Sequence, residues 1–172
     1  MTINTKPHIH RNIICANIFV KKDDKYLMIE RSKDKKYAPG FLNPVGGKLD
    51  KNENPYIAAK REVFEEAGLV VDNVKLEAVI LEVDPEKEST NWFIFEFTAD
   101  YKSGELIDTV EGKLVWLTKQ ELLENKNRMF PSLKKLIENI LNLNDGTIFA
   151  TFYYDENQQI IESSSSIDIC SV

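Results

Sequence analysis

"GGKLDKNENPYIAAKREVFEEAGL", residues 46–69, places Glu62, Glu65 and Glu66 within one helical turn, just ahead of a glycine suited to a helix end. Asn54 can cap such a helix, Pro55 suits its first position, and Gly68 suits the residue after its last. At about 100° per residue, with Glu62 as origin, Glu65 falls about 60° to one side and Glu66 about 40° to the other. Ile57, Val63, Phe64 and Ala67 fall on the far side, so the spacing predicts an amphipathic helix with its carboxylates opposite the core face. Lys60 projects into the apolar sector, and its stem is expected to run along the core edge to water. Like charges three and four apart repel by about 0.2–0.5 kcal/mol per pair, and acids at a helix C-terminus meet the unfavourable end of its dipole. Something must offset that crowding. Hard oxygen ligands converging on one face suit Mg²⁺, which bridges to substrate phosphates.

Outward from this helix the chain alternates between strand and helix patterns. "IICANIFV" (13–20) and "KYLMIERS" (25–32) read as strands paired across the turn "KKDD". "KDKKYAPGFLNPVGG" (33–47) reads as a long shaped loop. "VKLEAVILEV" (74–83) and "NWFIFEFTAD" (91–100) read as strands around the charged loop "DPEKEST", the second alternating at Trp92 and Ile94 or at Phe93, Phe95 and Phe97. "KLVWLT" (113–118) is a further strand, and Thr118 can cap a helix over "KQELLENK". "PSLKKLIENILNL" (131–143) carries Leu133, Leu136, Ile137, Ile140 and Leu141 at helical spacing. "GTIFATFYYDENQQII" (146–161) is expected to close the fold as a β-hairpin. The reading is one domain over residues 1–162, with a Ser-rich tail, 163–172, expected to fray because serine runs bury too little to offset ordering entropy. Strands before, between and after helices predict an α+β or mixed α/β layered fold rather than a doubly wound parallel sheet.

A chain of 172 residues with 42% hydrophobic and 29% charged side chains suits one ordinary globular domain. Its net charge of −6 argues against binding to a nucleic-acid polymer or an anionic membrane, so an anionic ligand would need a local device such as a bound cation. Cys15 and Cys170 form neither a disulfide framework nor a CxxC metal spacing, which fits a reduced, cytoplasmic setting. The first residues lack a signal-peptide plan, no stretch approaches the roughly 20 apolar residues of a membrane span, and His8 and His10 read as surface residues of a polar leader.

Read as spacing, the opening stretch gives Gly47, Glu53, Arg61, Glu62, Glu65, Glu66, Gly68 and the aliphatic Leu69. This resembles the complete signature of the Nudix hydrolases, and the order of elements outside it is similar to that family's α/β/α sandwich around a central mixed β-sheet. The resemblance implies Mg²⁺, with Mn²⁺ as a substitute, held by Glu62, Glu65 and Glu66 with the carbonyl of Gly46, while Glu53 binds through water or orients the cluster. Arg61 would hold a glutamate in place through its rigid fork. For the catalytic base the resemblance leaves Glu65 and Glu111 open, Glu111 in "DTVEGKLVWL" resembling an outer metal-binding glutamate. Asn43 resembles a purine-reading asparagine, Arg31 a phosphate contact, and Gly47 and Lys48 belong to the same substrate-facing loop. Phe130 in "MFPSLKK" could stack on a base, although Ser132 and Leu133 stand where animal relatives carry aspartates.

The implied activity is hydrolysis of a nucleoside triphosphate, of the 8-oxo-dGTP type handled by MutT-like nucleotide-pool sanitising enzymes, to the monophosphate and pyrophosphate. An ADP-ribose, nucleotide-sugar or dinucleotide substrate stays open, because the signature handles only the diphosphate. A catalytically silent nucleotide-sensing module is the third reading, although it would be expected to have lost a metal-binding glutamate. The expected partner is a small nucleotide, and the expected state a monomer or homodimer.

Overall fold

The computed structural model describes residues 11–34, 39–83 and 90–170. The leader with His8 and His10, part of the loop after the second strand and most of "DPEKEST" lie outside them. Among the described residues nine strands form one mixed sheet: β1 (Arg11–Lys22), β2 (Lys25–Arg31), β3 (Leu42–Asn43), β4 (Val45–Lys48), β5 (Leu69–Val83), β6 (Thr90–Gly104), β7 (Gly112–Thr118), β8 (Thr147–Tyr153) and β9 (Ser166–Cys170). Three helices accompany them: α1 (Pro55–Ala67), α2 (Lys119–Glu124) and α3 (Pro131–Asn142). The strand order is β3-β2-β1-β6-β5-β8-β9, with β4 on β1 and β7 on β2. β1 runs parallel to β6, and β5 parallel to β8, while the remaining pairs are antiparallel.

Two apolar layers make this an α/β/α sandwich. Beneath α1, Ala16, Ile18, Val20 and Leu27 meet Ala58, Ala59, Val63 and Ala67 together with Phe97 and Ala99 of β6. On the other face, Phe19, Met28 and Ile80 meet Leu122 of α2 and Leu133, Leu136, Ile137 and Ile140 of α3. Residues of α3 and β6 thus sort by their helical and twofold periods.

The ends of α1 follow from its caps. Asn54 Oδ1 accepts from the Ile57 amide at 3.1 Å, and Gly68 closes the helix at φ 72°, in the left-handed region that costs glycine least. Its rotation departs from the expected face. Ala58, Ala59, Glu62, Val63 and Ala67 are buried, whereas Ile57 is 49% and Phe64 63% exposed. Small side chains let the helix approach the sheet closely, and that close approach turns the larger Ile57 and Phe64 outward. Glu62 therefore does not lie opposite the core, being only 9% exposed, whereas Glu65 faces outward. Lys60 is half-buried, with its ammonium 5.4 Å from the Tyr56 ring centroid.

Two further expectations are corrected. The Gly- and Pro-rich loop contains the short strands β3 and β4, because Val45–Lys48 pairs with Cys15–Ile18 of β1. The tail does not fray over Ser166–Cys170. Those residues form β9 against Thr147–Thr151, so the closing hairpin partner of β8 is the tail, with "QQII" contributing one bridge, Tyr154 to Ile160. Backbone pairing alone carries β9, whose side chains are all exposed, and a side-chain pattern does not report it.

Candidate active site

Arg61 organises the acidic helix. Its Nε and Nη2 each donate to a Glu53 carboxylate oxygen at 2.9 Å, its Nη1 donates to Glu62 at 2.8 Å and to Glu65 at 2.9 Å, and its Nη2 also reaches the Lys48 carbonyl at 3.2 Å. The fork geometry makes the Glu53 pair bidentate, which a lysine could not reproduce. Hydrogen bonds from Arg61 and the Asp50 amide hold Glu53 below the usual carboxylate range. Those to Glu53 above all, with Glu65 and Glu62 adding, push Arg61 further up.

Glu62 packs against Gly47. Burial raises its pKa, opposed by the hydrogen bond and charge of Arg61. Glu66 is pushed up to about 7, first by burial and then by the charges of Glu62 and Glu111, with the Gly46 amide and Arg31 acting the other way. Glu62, Glu66 and Glu111 are thus close enough to repel, and Arg31 close enough to offset part of that repulsion. Glu111 sits at the turn into β7, where Ser32 donates its amide to the Glu111 carbonyl at 3.0 Å. Pairing of Arg31 with Gly112 sets the arginine beside it.

These groups open into one cavity of about 480 Å³, walled by Arg31, Asn43, Gly46, Gly47, Lys48, Arg61, Glu62, Glu66, Glu111 and Phe130. Of the residues singled out from sequence, Glu53 and Glu65 are not in its wall: Glu53 acts through Arg61, and the Glu65 side chain is 56% exposed. Lys48 places its ammonium 5.3 Å from the Trp92 ring centroid. Phe130 stacks at a tilt between Phe41 at 6.3 Å and Tyr154 at 6.0 Å.

The opposite end of the cavity was not singled out from sequence. Cys15 and Asn17 of β1, Trp92, Ile94 and Glu96 of β6, and Ser132 and Leu133 at the start of α3 line it, and Pro44 and Asp50 complete the wall. Glu96 is 2% exposed, and Asn17 Nδ2 donates to its Oε1 at 2.8 Å. Burial pushes its carboxyl up to about 7, against the Asn17 hydrogen bond and with the charge of Glu82 adding. The signal was available as a lone acid in an apolar strand, two residues on from Ile94 and four from Trp92, hence on their face. Cys15 is raised to about 12 by burial, so it stays a thiol at neutral pH.

Carboxylates that crowd one another, an arginine and a lysine in the same wall, and an adjoining aromatic recess suit a polyanion attached to a flat ring. Hard oxygen donors fit a divalent cation in kind and in charge. Among the described residues, no three acidic, histidine or cysteine side chains are already closed around one point; Arg61 holds Glu62 and Glu65. No described helix is long and apolar enough to cross a membrane.

Comparison with known proteins bears on the family and the fold. A family model described as the NUDIX domain matches residues 8–140. The fold is similar to that of a MutT protein from Bacillus halodurans, with TM-score 0.77 and 28% identity over 91% of this chain and 97% of that one. It is similar also to a Nudix hydrolase from Nitrosomonas europaea, with TM-score 0.64 and 21% identity over 76% and 88%. A MutT protein from Methanosarcina mazei matches with TM-score 0.65 and 18% identity over 78% and 96%.

Proposed function

Because the chain belongs to the NUDIX domain family, we propose that it is a Mg²⁺-dependent hydrolase of a purine nucleoside triphosphate of the 8-oxo-dGTP type, releasing the monophosphate and pyrophosphate. Enzymes of this family use a divalent cation, for which Mn²⁺ would be a substitute. The observation that carries the substrate reading is the single cavity in which Arg31, Lys48, Glu62, Glu66 and Glu111 adjoin an aromatic recess with Asn43 and Phe130. The likeness to the Bacillus halodurans MutT protein over nearly the whole of both chains supports the same reading.

The ion's ligands would be Glu62, Glu65, Glu66 and Glu111 with the Gly46 carbonyl. When bound, it would polarise a phosphoryl oxygen, lower the pKa of water and neutralise a leaving phosphate. Arg61 keeps Glu53, Glu62 and Glu65 in place before substrate arrives, so little reorganisation is left for the reaction itself. Arg31 and Lys48 offer positive charge to the phosphates, Asn43 offers a donor and an acceptor to the base edge, and Phe130 offers a face to stack on. Of the two base candidates, Glu111 lines the cavity and Glu65 is bonded to Arg61 outside it. We therefore assign proton abstraction from water to Glu111.

Pyrophosphate release from 8-oxo-dGTP with Mg²⁺, and its loss in Glu66→Gln and Glu111→Gln, tests the assignment; parent-like turnover in both variants would refute it. A marked preference for ADP-ribose over 8-oxo-dGTP at equal low concentration would remove the triphosphate reading. The cellular role that follows is sanitising the nucleotide pool ahead of DNA synthesis, in a reducing cytoplasm where Cys15 and Cys170 stay free.

A further inference from the structure

Glu96 has no task in the hydrolytic end of the cavity, yet it stands in the wall of the other end, on the central strand β6. It is buried, its Oε1 is taken by Asn17, and its Oε2 has no hydrogen-bond partner among the described residues. An unsatisfied buried acceptor costs about 1–3 kcal/mol, so a carboxyl kept there for packing alone would be a poor choice beside leucine or valine. Among the described residues two other acids of this sheet are buried: Glu77 accepts from the Thr98 hydroxyl at 2.7 Å and has the Lys75 ammonium 3.2 Å from its second oxygen, and Glu82 accepts from the Tyr154 hydroxyl at 2.9 Å.

The position of Glu96 relative to the reactive end follows from strand register. Asn17 of β1 lies opposite Gly46 of β4 on one side and opposite Glu96 of β6 on the other. Gly46 and Glu96 are therefore two strand spacings apart, roughly 10 Å. A nucleotide whose phosphates face Gly46, Glu62 and Glu66 would extend its base toward Glu96, with Trp92 and Ile94 on the same strand face to cover the ring. Stacking on such a surface is indifferent to base identity, so discrimination must come from a polar edge.

We infer that Glu96, held by Asn17, is a specificity-determining residue that accepts hydrogen bonds from the N1–H and 2-amino group of a guanine-type base. Two N–H donors facing the carboxyl favour its ionised, acceptor-only form; Oε2 can take one donor and the second lone pair of Oε1 the other. Adenine presents a donor beside an acceptor, hypoxanthine lacks the second donor, and the imide of uracil or thymine flanks its one donor with two carbonyl oxygens. Each of those leaves a buried group of the protein or ligand unpaired, and a site built on hydrogen bonds rejects such analogues strongly. The inference rests on the triphosphate reading above for the direction in which the ligand lies.

Binding of dGMP, dIMP and dAMP to the protein in EDTA, followed by tryptophan fluorescence, separates the two. The parent should bind dGMP about tenfold or more tightly than dIMP or dAMP, and Glu96→Gln, checked for folding by its melt, should lose that preference. Equal affinities for the three monophosphates in the parent would overturn the assignment without any variant, as would an intact preference in folded Glu96→Gln. If dGMP is preferred but Mg²⁺-dependent cleavage falls on ADP-ribose and spares triphosphates, the triphosphate reading fails while Glu96 keeps its base.

Discussion

Gly47→Ala probes the reactive end with little chemical change. A Cβ at Gly47 would lie 2.5 Å from Glu62 Oε1 and 2.7 Å from its Cδ, where ordinary contacts start at 3.4 Å. The carboxylate would have to retreat by about 0.9 Å, the difference between those two contacts. The same oxygen accepts from Arg61 Nη1 at 2.8 Å, so the retreat also disturbs the group that holds Glu53 and Glu65. A misplacement of about 1 Å in a reacting geometry costs about 10²-fold in rate, which corresponds to about 2.7 kcal/mol of barrier. Overpacking at this buried side chain should cost about 1–3 kcal/mol of stability. The assay is steady-state pyrophosphate release from 8-oxo-dGTP beside a thermal melt without added metal. We expect kcat to fall about 10²-fold with KM within about threefold, in a protein that still folds. Gly46→Ala is the control: its Cβ would meet the Ala16 carbonyl, which is backbone and does not yield, so it should lower the melting temperature further. A folded Gly47→Ala variant with parent-like kcat would refute the placement of Glu62 as critical.

Three other outcomes follow from the structure. Glu96, pushed up from 4.5 to about 7 in the folded protein, holds its proton after the unfolded chain has released it. Its contribution is thus complete below pH 4.5 and is lost as pH rises to about 7; up to about 3 kcal/mol of stability depends on pH there, and denaturant melts of Glu96→Gln should lose that slope. Mg²⁺ at about 100 times its dissociation constant should stabilise the protein by about 2.7 kcal/mol, read as a rise of several degrees in melting temperature, and Glu66→Gln should shrink it. Phe64→Ser on the exposed face of α1 should change stability by no more than about 0.5 kcal/mol, whereas Ala59→Leu beneath that helix should cost about 1–3 kcal/mol, as chemical denaturation would measure.

The two ends of the cavity differ in how far sequence reveals them. Asn54, Pro55 and Gly68 act within a few residues of where they stand, so α1 was legible to the residue at both ends. The reactive carboxylates were legible for the same reason, being crowded on that one helix. Its rotation was not, because a helical projection ranks Ile57 and Phe64 by size, while the sheet selects Ala58 and Ala59 for close approach. β3, β4 and β9 are defined by hydrogen bonds to strands far along the chain, and glycines, prolines and serines carry no side-chain period that reports such pairing. Glu96 escaped because an acid in a strand reads as solvent-facing when its neighbours across the sheet are unknown. Asn17 lies 79 residues away in sequence.

The register row Gly46, Asn17, Glu96 bears on how such a protein could acquire new substrates. The glycine belongs to the loop that abuts the acidic helix, and the glutamate to a strand that meets this loop through Asn17 and through Lys48, whose ammonium lies over the Trp92 ring. Exchanging residues at positions 92, 94 and 96 would reshape the recess one strand spacing from Asn17, leaving the carboxylates of α1 and their arginine as they are. Ligand choice is thereby free to drift while the bond-breaking apparatus is inherited intact, and Asn17 and the Lys48–Trp92 contact form the narrow isthmus through which a change on one side would be felt on the other.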